Sequence, residues 1–140
     1  MLSALALPLS LSAQTTTPPT GYKMVWSDEF NGTSLDTKVW NIEENGNGGG
    51  NQELQYYRKE NVAVKDGNLV LTARRESYNN KQFTSGRINS RDKAYFKHGI
   101  IQARIKFPKT ANGVWPAYWM MGNDYGKVGW PRCGEIDIVE

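Results

Sequence analysis

The sequence contains a single cysteine, Cys133, among its 140 residues. An internal disulfide is therefore excluded, and we expect this thiol to be buried, because an unpaired cysteine commonly behaves as a small hydrophobe. Runs of like charge are also absent: the 17 Lys and Arg residues and the 14 Asp and Glu residues are dispersed, and the net charge is +3. This pattern is typical of a solvated surface and offers no basic arm to a nucleic acid.

No apolar stretch reaches the roughly 20 residues that cross a bilayer, so we predict no membrane span. Residues 1–13 instead form a short Leu/Ala run that ends in Leu-Ser-Ala, which is typical of a secretory signal peptide, although no Lys or Arg follows Met1. Residues 14–20 follow as a Thr/Pro linker. We therefore expect a secreted protein, extracellular or periplasmic, whose folded domain begins at residue 21.

A sustained helical period is missing as well, and short runs that alternate apolar and polar residues take its place. Val62–Val64 leads through Asp66-Gly67 into Asn68–Ala73, which predicts a hairpin. Phe83–Ser90 is another candidate strand. Within His98–Pro108, one face carries Ile101, Ala103, Ile105 and Phe107, which is typical of a half-buried strand in an antiparallel sheet. These runs predict an all-β sandwich or jelly roll.

The glycine-rich stretch Gly46–Gly50 lacks the Gly-Lys-Ser/Thr ending of a phosphate-binding loop. It also lacks the strand before it and the helix after it that such a loop requires. We interpret it as a surface loop that could border a cleft.

The last six residues, Glu135–Glu140, alternate three carboxylates with apolar residues. Alternation by itself is typical of an amphipathic strand with its acids in water. However, Glu135 and Asp137 share one face. Like charges on one face repel each other and destabilise a strand, so their presence indicates a functional role. Strict alternation would turn Glu140 to the opposite face. We therefore predict a one-residue bulge that absorbs the extra residue, Val139.

With that bulge, the two glutamates stand about 13 Å apart between Cα atoms, at about 3.3 Å per residue. Side chains that lean toward each other would leave a gap near the roughly 5 Å of retaining glycosidases, whereas inverting enzymes need more room. One carboxylate would attack the anomeric carbon while ionised, and the other would deliver a proton to the leaving oxygen. Asp137 would orient the nucleophile by sharing a proton with it.

The acidic strand resembles the signature Glu-Ile/Leu-Asp-Ile/Val-x-Glu of glycoside hydrolase family 16. Further stretches resemble that family in the expected order: Val25–Gly32, Asn51–Tyr57, Asp66–Leu69, Thr84–Ile88 and Trp115–Met120. They are most similar to the laminarinase branch, the endo-β-1,3-glucanases. The resemblance implies a concanavalin A-like β-jelly roll of two curved antiparallel sheets, with a sugar cleft across the concave face. Residues 21–140 are expected to be the N-terminal part of such a catalytic domain.

The resemblance also implies roles for individual residues. Glu135 would be the nucleophile, Glu140 the acid/base and Asp137 the assisting carboxylate. Five further residues would bind the sugar: Asn51, Arg87, Trp115, Trp119 and Trp130. Indole rings stack on the C–H faces of sugars, while Arg and Asn bond their hydroxyls, although each Trp could equally pack in a core. A role for Glu53 is left open.

Many members of the family hold a structural calcium, partly through backbone carbonyls at positions that match Glu29 and Gly67. Calcium is therefore an option that the resemblance leaves open, and no cofactor is required. One departure from the family is Gly49, which stands where relatives often have Trp. This departure puts one contact at the rim of the cleft in question.

The resulting prediction is a secreted, monomeric, retaining endo-β-1,3-glucanase that acts on laminarin-type polysaccharide. Two alternatives stay open. One is a hydrolase of the same family that acts on mixed-linkage β-glucan, agarose or carrageenan. The other is a non-catalytic β-glucan-binding module, although such modules typically lack the catalytic glutamates. Because the chain ends at Glu140 within an apparent strand, we expect the isolated chain to lack partner strands, to be unstable and to be inactive.

Overall fold

A computed structural model describes residues 17–109 and 113–140. The predicted signal peptide, residues 1–13, and the first part of the predicted linker lie outside the described residues. The chain divides into two compact units: one runs up to Leu35 and includes Ala63–Val70, and the other contains Asp36–Val62 and Leu71–Glu140. Every predicted catalytic and sugar-binding residue belongs to the second unit.

Short strands make up most of the regular structure of the described residues. They are β1 (Asn41–Ile42), β2 (Gln55–Tyr57), β3 (Val62–Lys65), β4 (Asn68–Leu71), β5 (Phe83–Ser85), β6 (Ile88–Asn89), β7 (Tyr118–Met121) and β8 (Glu135–Val139). One helical turn, α1, spans Tyr125–Val128, and a 3₁₀ turn spans Lys59–Asn61. None of the helical segments in the described ranges has the length and apolarity that a bilayer crossing needs. This content agrees with the all-β prediction.

The strands pair as four two-stranded ladders: β1 with β6, β2 with β5, β3 with β4, and β7 with β8. The first and last of these are antiparallel, as expected. In contrast, β2 and β5 run parallel, with Gln55 opposite Phe83 and Tyr57 opposite Ser85. A parallel pair needs a long crossover, and residues 58–82 provide it. At this ladder the structure departs from the all-antiparallel expectation.

The predicted hairpin between β3 and β4 is confirmed. Between the two strands, Asp66 and Gly67 have φ angles of 52° and 70°. Positive φ at both central residues is typical of a type I′ turn, whose twist matches that of the flanking strands and which Asp-Gly favours. The two-residue turn therefore fixes the pairing of β3 with β4.

Two strand predictions need correction. Phe83–Ser90 is interrupted after Ser85, so that it forms β5 and β6 instead of one strand. His98–Pro108 forms no strand, since no strand of the described residues pairs with it. Ile101 and Ile105 remain 39% and 41% exposed. An alternating run becomes a strand only where a neighbour accepts and donates its backbone hydrogen bonds, and sequence alternation cannot supply that neighbour.

The most buried side chains are polar. Asn61 and Thr84 are each 1% exposed, whereas no apolar side chain of the described residues is fully buried. The Asn61 amide donates to the Thr72 carbonyl at 2.7 Å and to the Thr84 hydroxyl at 2.9 Å, and that hydroxyl donates to Glu76 at 2.6 Å. Cys133, predicted to be buried, is free and half-buried. Instability of the isolated chain stays a prediction, which the exposed apolar side chains support.

Candidate active site

The β7–β8 hairpin builds the acidic face. Its antiparallel register sets Met121 opposite Glu135 and Trp119 opposite Asp137. Directly opposite residues of an antiparallel pair lie on the same face of the sheet. Glu135 and Asp137 therefore share one face with Trp119, as the alternation predicted.

The two strands approach closely where the hairpin begins to close. The Gly122 N–H donates to the Gly134 carbonyl at 3.0 Å. A Cβ at Gly122 would overlap the carbonyl oxygen of Cys133. Only glycine fits here, and the close approach fixes the start of β8 at Glu135.

A β-bulge interrupts the ladder near the end of β8. Trp119 is opposite Asp137, but the preceding residue, Tyr118, is opposite Val139. Ile138 is skipped, so one strand carries one more residue than its partner, which defines a bulge. The predicted bulge is confirmed, and the residue that it accommodates is Ile138 instead of Val139.

The bulge decides where the third carboxylate lies. Val139 pairs with Tyr118 and so lies on the face opposite to that of Asp137. Alternation then returns the next residue, Glu140, to the face of Asp137 and Glu135. All three predicted catalytic carboxylates thus lie on one face of β8, and each of these residues is exposed.

Trp130 contacts the first of these carboxylates. Its indole Nε1–H donates to Oε2 of Glu135 at 2.7 Å, and the residue is 65% exposed. A hydrogen bond from a neutral donor holds one carboxylate oxygen in place and leaves the other oxygen available. The structure therefore brings Trp130 and Glu135 together, as the predicted site requires.

Five residues form a cluster, named here the arginine cluster: Arg87, Trp119, Tyr57, Glu43 and Glu53. The Arg87 Cζ atom is 5.0 Å from the centroid of the Trp119 ring and 5.5 Å from that of Tyr57. Its Nε is 3.1 Å from Oε1 of Glu43, and its Nη1 is 3.9 Å from Oε1 of Glu53. Both rings lie within the range of cation–π attraction. Arg87 is thus surrounded by two carboxylates and two aromatic rings.

Glu53, whose role the sequence left open, is the most buried acid of this cluster. Its side chain is 10% exposed. Its Oε2 accepts hydrogen bonds from Nε2 of Gln55 at 2.6 Å and from the Tyr57 hydroxyl at 2.5 Å. A Cβ at Gly49 would overlap the Glu53 carboxylate, and Gly49 has a φ angle of 57°. The glycine that departs from the family pattern therefore leaves the space that Glu53 occupies.

Burial raises the pKa of Tyr57 above its ordinary value of 10.0, and the hydrogen bond to Glu53 raises the pKa further, against a smaller lowering effect of Arg87. A raised folded-state pKa means that the stabilising contribution is fully present below pH 10.0 and is lost as the pH rises through the folded-state value. We expect a tyrosinate absorbance titration to show Tyr57 ionising late, and Tyr57→Phe to remove that step.

Tyr118 is the matched control, because burial alone raises the pKa of its hydroxyl. Tyr118→Phe should remove a late step while leaving that of Tyr57 in place. A late ionisation of Tyr57 that stays unchanged in Glu53→Gln would contradict the contribution of the hydrogen bond between Tyr57 and Glu53.

Two predicted sugar-binding residues lie apart from these contacts. Asn51 is in the glycine-rich turn, where its backbone N–H donates to the Gly48 carbonyl at 2.9 Å. Trp115 precedes β7 and is 52% exposed. Within residues 17–109 and 113–140, no side-chain hydrogen bond links Asn51 or Trp115 to β8.

The calcium option was assigned to backbone carbonyls of Glu29 and Gly67. The side-chain oxygen of Asn31 lies 3.7 Å from the position that a Cβ on Gly67 would take. In the described parts of the chain, no group of three or more His, Cys, Asp or Glu side chains is placed to hold a metal ion. One amide oxygen near Gly67 does not amount to the six to eight oxygens that calcium takes, so these residues do not fit the ion by themselves.

Glu43 and Tyr57 are site residues that sequence reasoning missed. Glu43 contacts Arg87 from a distant part of the chain, and no spacing in the sequence signals such a contact. For Tyr57, the alternation of Glu53, Gln55 and Tyr57 was a usable signal. Residues two apart on an extended segment share a face, which brings a hydroxyl and an amide to the same carboxylate.

Comparison with known proteins identifies a matching family and several similar sequences. Residues 6–135 match the family described as beta-glucan synthesis-associated protein SKN1/KRE6/Sbg1. The chain is 47% identical over 122 residues to the clotting factor G alpha subunit of Tachypleus tridentatus, covering 85% of this chain and 18% of that protein. It is 43% identical over 125 residues to a beta-glucanase of Rhodothermus marinus, covering 85% and 43%.

A solved structure agrees with these matches. The catalytic domain of an endo-1,3-beta-glucanase (laminarinase) from Thermotoga petrophila RKU-1 superposes with a TM-score of 0.76 at 46% sequence identity. The match covers 83% of this chain and 50% of that one. The chain therefore spans half or less of the length of each of these relatives.

The strand content and the match to a solved laminarinase structure show that the chain has a jelly-roll fold. The chain belongs to the SKN1/KRE6/Sbg1 beta-glucan synthesis-associated family. Its predicted membership of the laminarinase-like branch of glycoside hydrolase family 16 is confirmed, and so is the predicted jelly roll.

Proposed function

We propose that the protein is a retaining endo-β-1,3-glucanase that hydrolyses laminarin-type polysaccharide. The observation that carries the proposal is the bulge at Ile138, which returns Glu140 to the face of Glu135 and Asp137. An acidic strand without a catalytic use would gain nothing from gathering three like charges on one face.

The reaction takes two displacements. In the first, a carboxylate oxygen of Glu135 attacks the anomeric carbon, the bond to the leaving sugar breaks, and Glu140 gives a proton to the departing oxygen. In the second, Glu140 takes a proton from water, and the water oxygen displaces Glu135 from the anomeric carbon. Two inversions return the original β configuration, and both carboxyl groups recover their starting states.

The neighbouring side chains orient these groups. Trp130 donates a hydrogen bond to Glu135 and so holds the nucleophile toward the sugar. Asp137 lies between the two glutamates on their face and would share a proton with the nucleophile. Trp119 offers an aromatic surface to a sugar ring, and Arg87 offers guanidinium N–H groups to its hydroxyls.

The substrate assignment is tested with the full-length protein on laminarin, lichenan and agarose, by measuring released reducing ends. We expect laminarin to be cleaved fastest, with a rapid fall in viscosity because internal bonds break. Faster cleavage of lichenan or agarose would favour the mixed-linkage or galactan alternative. Binding of laminarin without cleavage of any of the three would overturn the enzyme assignment and favour a recognition module.

The stereochemical outcome provides a separate test of the mechanism. Proton NMR of the first-formed product should show the β anomer before mutarotation. An initial α anomer would rule out retention while leaving the substrate assignment intact.

Secretion stays a prediction that rests on residues 1–13.

A further inference from the structure

The arginine cluster holds its guanidinium more firmly than a surface arginine is held. Arg87 and Glu43 have side chains only 25% and 24% exposed, and Glu53 has 10%. The Glu43 backbone N–H also donates to the Arg87 carbonyl at 2.9 Å. The two residues are thus tied through both backbone and side chain, which fixes the direction in which the Arg87 side chain leaves the chain.

The two carboxylates are themselves satisfied by neutral donors. Glu43 accepts a hydrogen bond from Nδ2 of Asn89 at 2.9 Å, while Glu53 accepts from Gln55 and Tyr57. A carboxylate that accepts hydrogen bonds from several donors is held in one orientation. Glu43 and Glu53 therefore form a preorganised anionic site for the guanidinium of Arg87.

The two carboxylates hold the guanidinium of Arg87 close to the Trp119 ring. Arg87 reaches the Trp119 ring at 5.0 Å, and Trp119 lies directly opposite Asp137 in the β7–β8 ladder, next to the bulge. Glu43 and Glu53 contact Arg87, and among the described residues neither forms a hydrogen bond or ion pair with the carboxylates of β8. Any influence of these two glutamates on the acidic face passes through Arg87 and Trp119.

We propose that Glu43 and Glu53 are positioning residues that hold Arg87 against Trp119 and thereby set how tightly the acidic face binds a neutral glucan. The proposal rests on the proposed glucanase function for its ligand. An arginine side chain has several rotatable bonds, and fixing it before the ligand arrives removes an entropy cost from binding. The positioning residues therefore act on substrate affinity more than on the chemical step.

The test is a double-mutant cycle in the full-length protein, with a laminarin oligosaccharide as the probe and tryptophan fluorescence as the readout. Glu43→Gln and Glu53→Gln keep the side-chain shape and remove the charge. We expect each to weaken binding by about tenfold, as loss of a charge-assisted contact implies. KM should rise by a similar factor, while kcat changes less than KM.

Arg87→Ala decides whether the two glutamates act through the arginine. If they do, Glu43→Gln and Glu53→Gln cause no further loss of affinity in the Arg87→Ala background. Full additivity of the losses would overturn the proposal. Glu60→Gln is the matched control, because Glu60 also pairs with an arginine, Arg58, at 3.1 Å but lies outside the cluster. It should leave affinity unchanged.

A ligand-independent measurement separates this inference from the proposed function. The Nε–H resonance of Arg87 should be sharp and slowly exchanging with water in the wild type and should broaden in Glu43→Gln. An unchanged resonance in that variant would overturn the positioning role even if laminarin is cleaved. Conversely, a broadened resonance in a protein that cleaves no laminarin would leave the positioning of Arg87 supported and the glucanase proposal rejected.

Discussion

Glu135→Gln in the full-length protein is expected to lower kcat on laminarin on the order of 10⁴-fold, since loss of a covalent nucleophile removes a step that its neighbours cannot replace. Glutamine keeps the size of the side chain and can still accept the hydrogen bond from Trp130, so the fold should be retained. Reducing-end assays and thermal unfolding, measured on the same samples, separate loss of chemistry from loss of structure.

Chemical rescue assigns the role of this residue. In Glu135→Ala, azide should attack the anomeric carbon of an activated aryl glucoside in the vacated space and give the inverted glycosyl azide. In Glu140→Ala, azide would instead intercept the covalent intermediate and give the retained product. Glu44→Gln, which removes an exposed carboxylate elsewhere in the chain, should keep wild-type turnover. Retained azide product from Glu135→Ala would reverse the assignment of the two glutamates.

Insertion of one alanine between Asp137 and Ile138 is expected to lower kcat by about 10²- to 10⁴-fold, the usual effect of losing a general acid. The ladder already absorbs one extra residue at this point. When the ladder keeps its one-residue bulge, the added residue moves Ile138, Val139 and Glu140 along by one position and so turns Glu140 to the opposite face of β8. The rate of laminarin hydrolysis and the far-ultraviolet circular dichroism of the variant give the measurement.

Deletion of Ile138 is the matched control for that insertion. It converts β8 to a strand without a bulge, in which alternation still leaves Glu140 on the face of Glu135. We expect this variant to keep far more activity than the insertion variant, although both change the length of the same strand by one residue. Equal loss in the two variants would contradict the account of the bulge.

Local sequence patterns predicted the local structure of this chain well. Asp66-Gly67 specified its turn because a type I′ geometry needs residues that tolerate positive φ. The acidic strand specified a bulge because three carboxylates could share one face only with an extra residue absorbed. In contrast, His98–Pro108 had the alternation of a strand without a partner, and the parallel pairing of β2 with β5 had no sequence signal. Pairing depends on distant segments, which local patterns do not encode.

The candidate site divides in the same way. Glu135, Asp137 and Trp130 lie within one short stretch, so their motif was sufficient to place them together. The contact of Glu43 with Arg87 depends on how two separate loops meet, and Glu43 was missed for that reason. Resemblance to a family named Arg87 but did not name the residues that hold it.

The arginine cluster joins segments that are far apart along the chain. Side-chain hydrogen bonds between the β1 and β6 regions span 46 residues from Glu43 to Asn89 and 48 residues from Asn41 to Asn89, and Lys93 reaches the Trp40 carbonyl across 53. Closing loops of this length costs conformational entropy before any contact repays it. We therefore expect the contacts of Glu43 and Glu53 with Arg87 to form late as the chain folds, so that weakening them accelerates unfolding more than it slows folding.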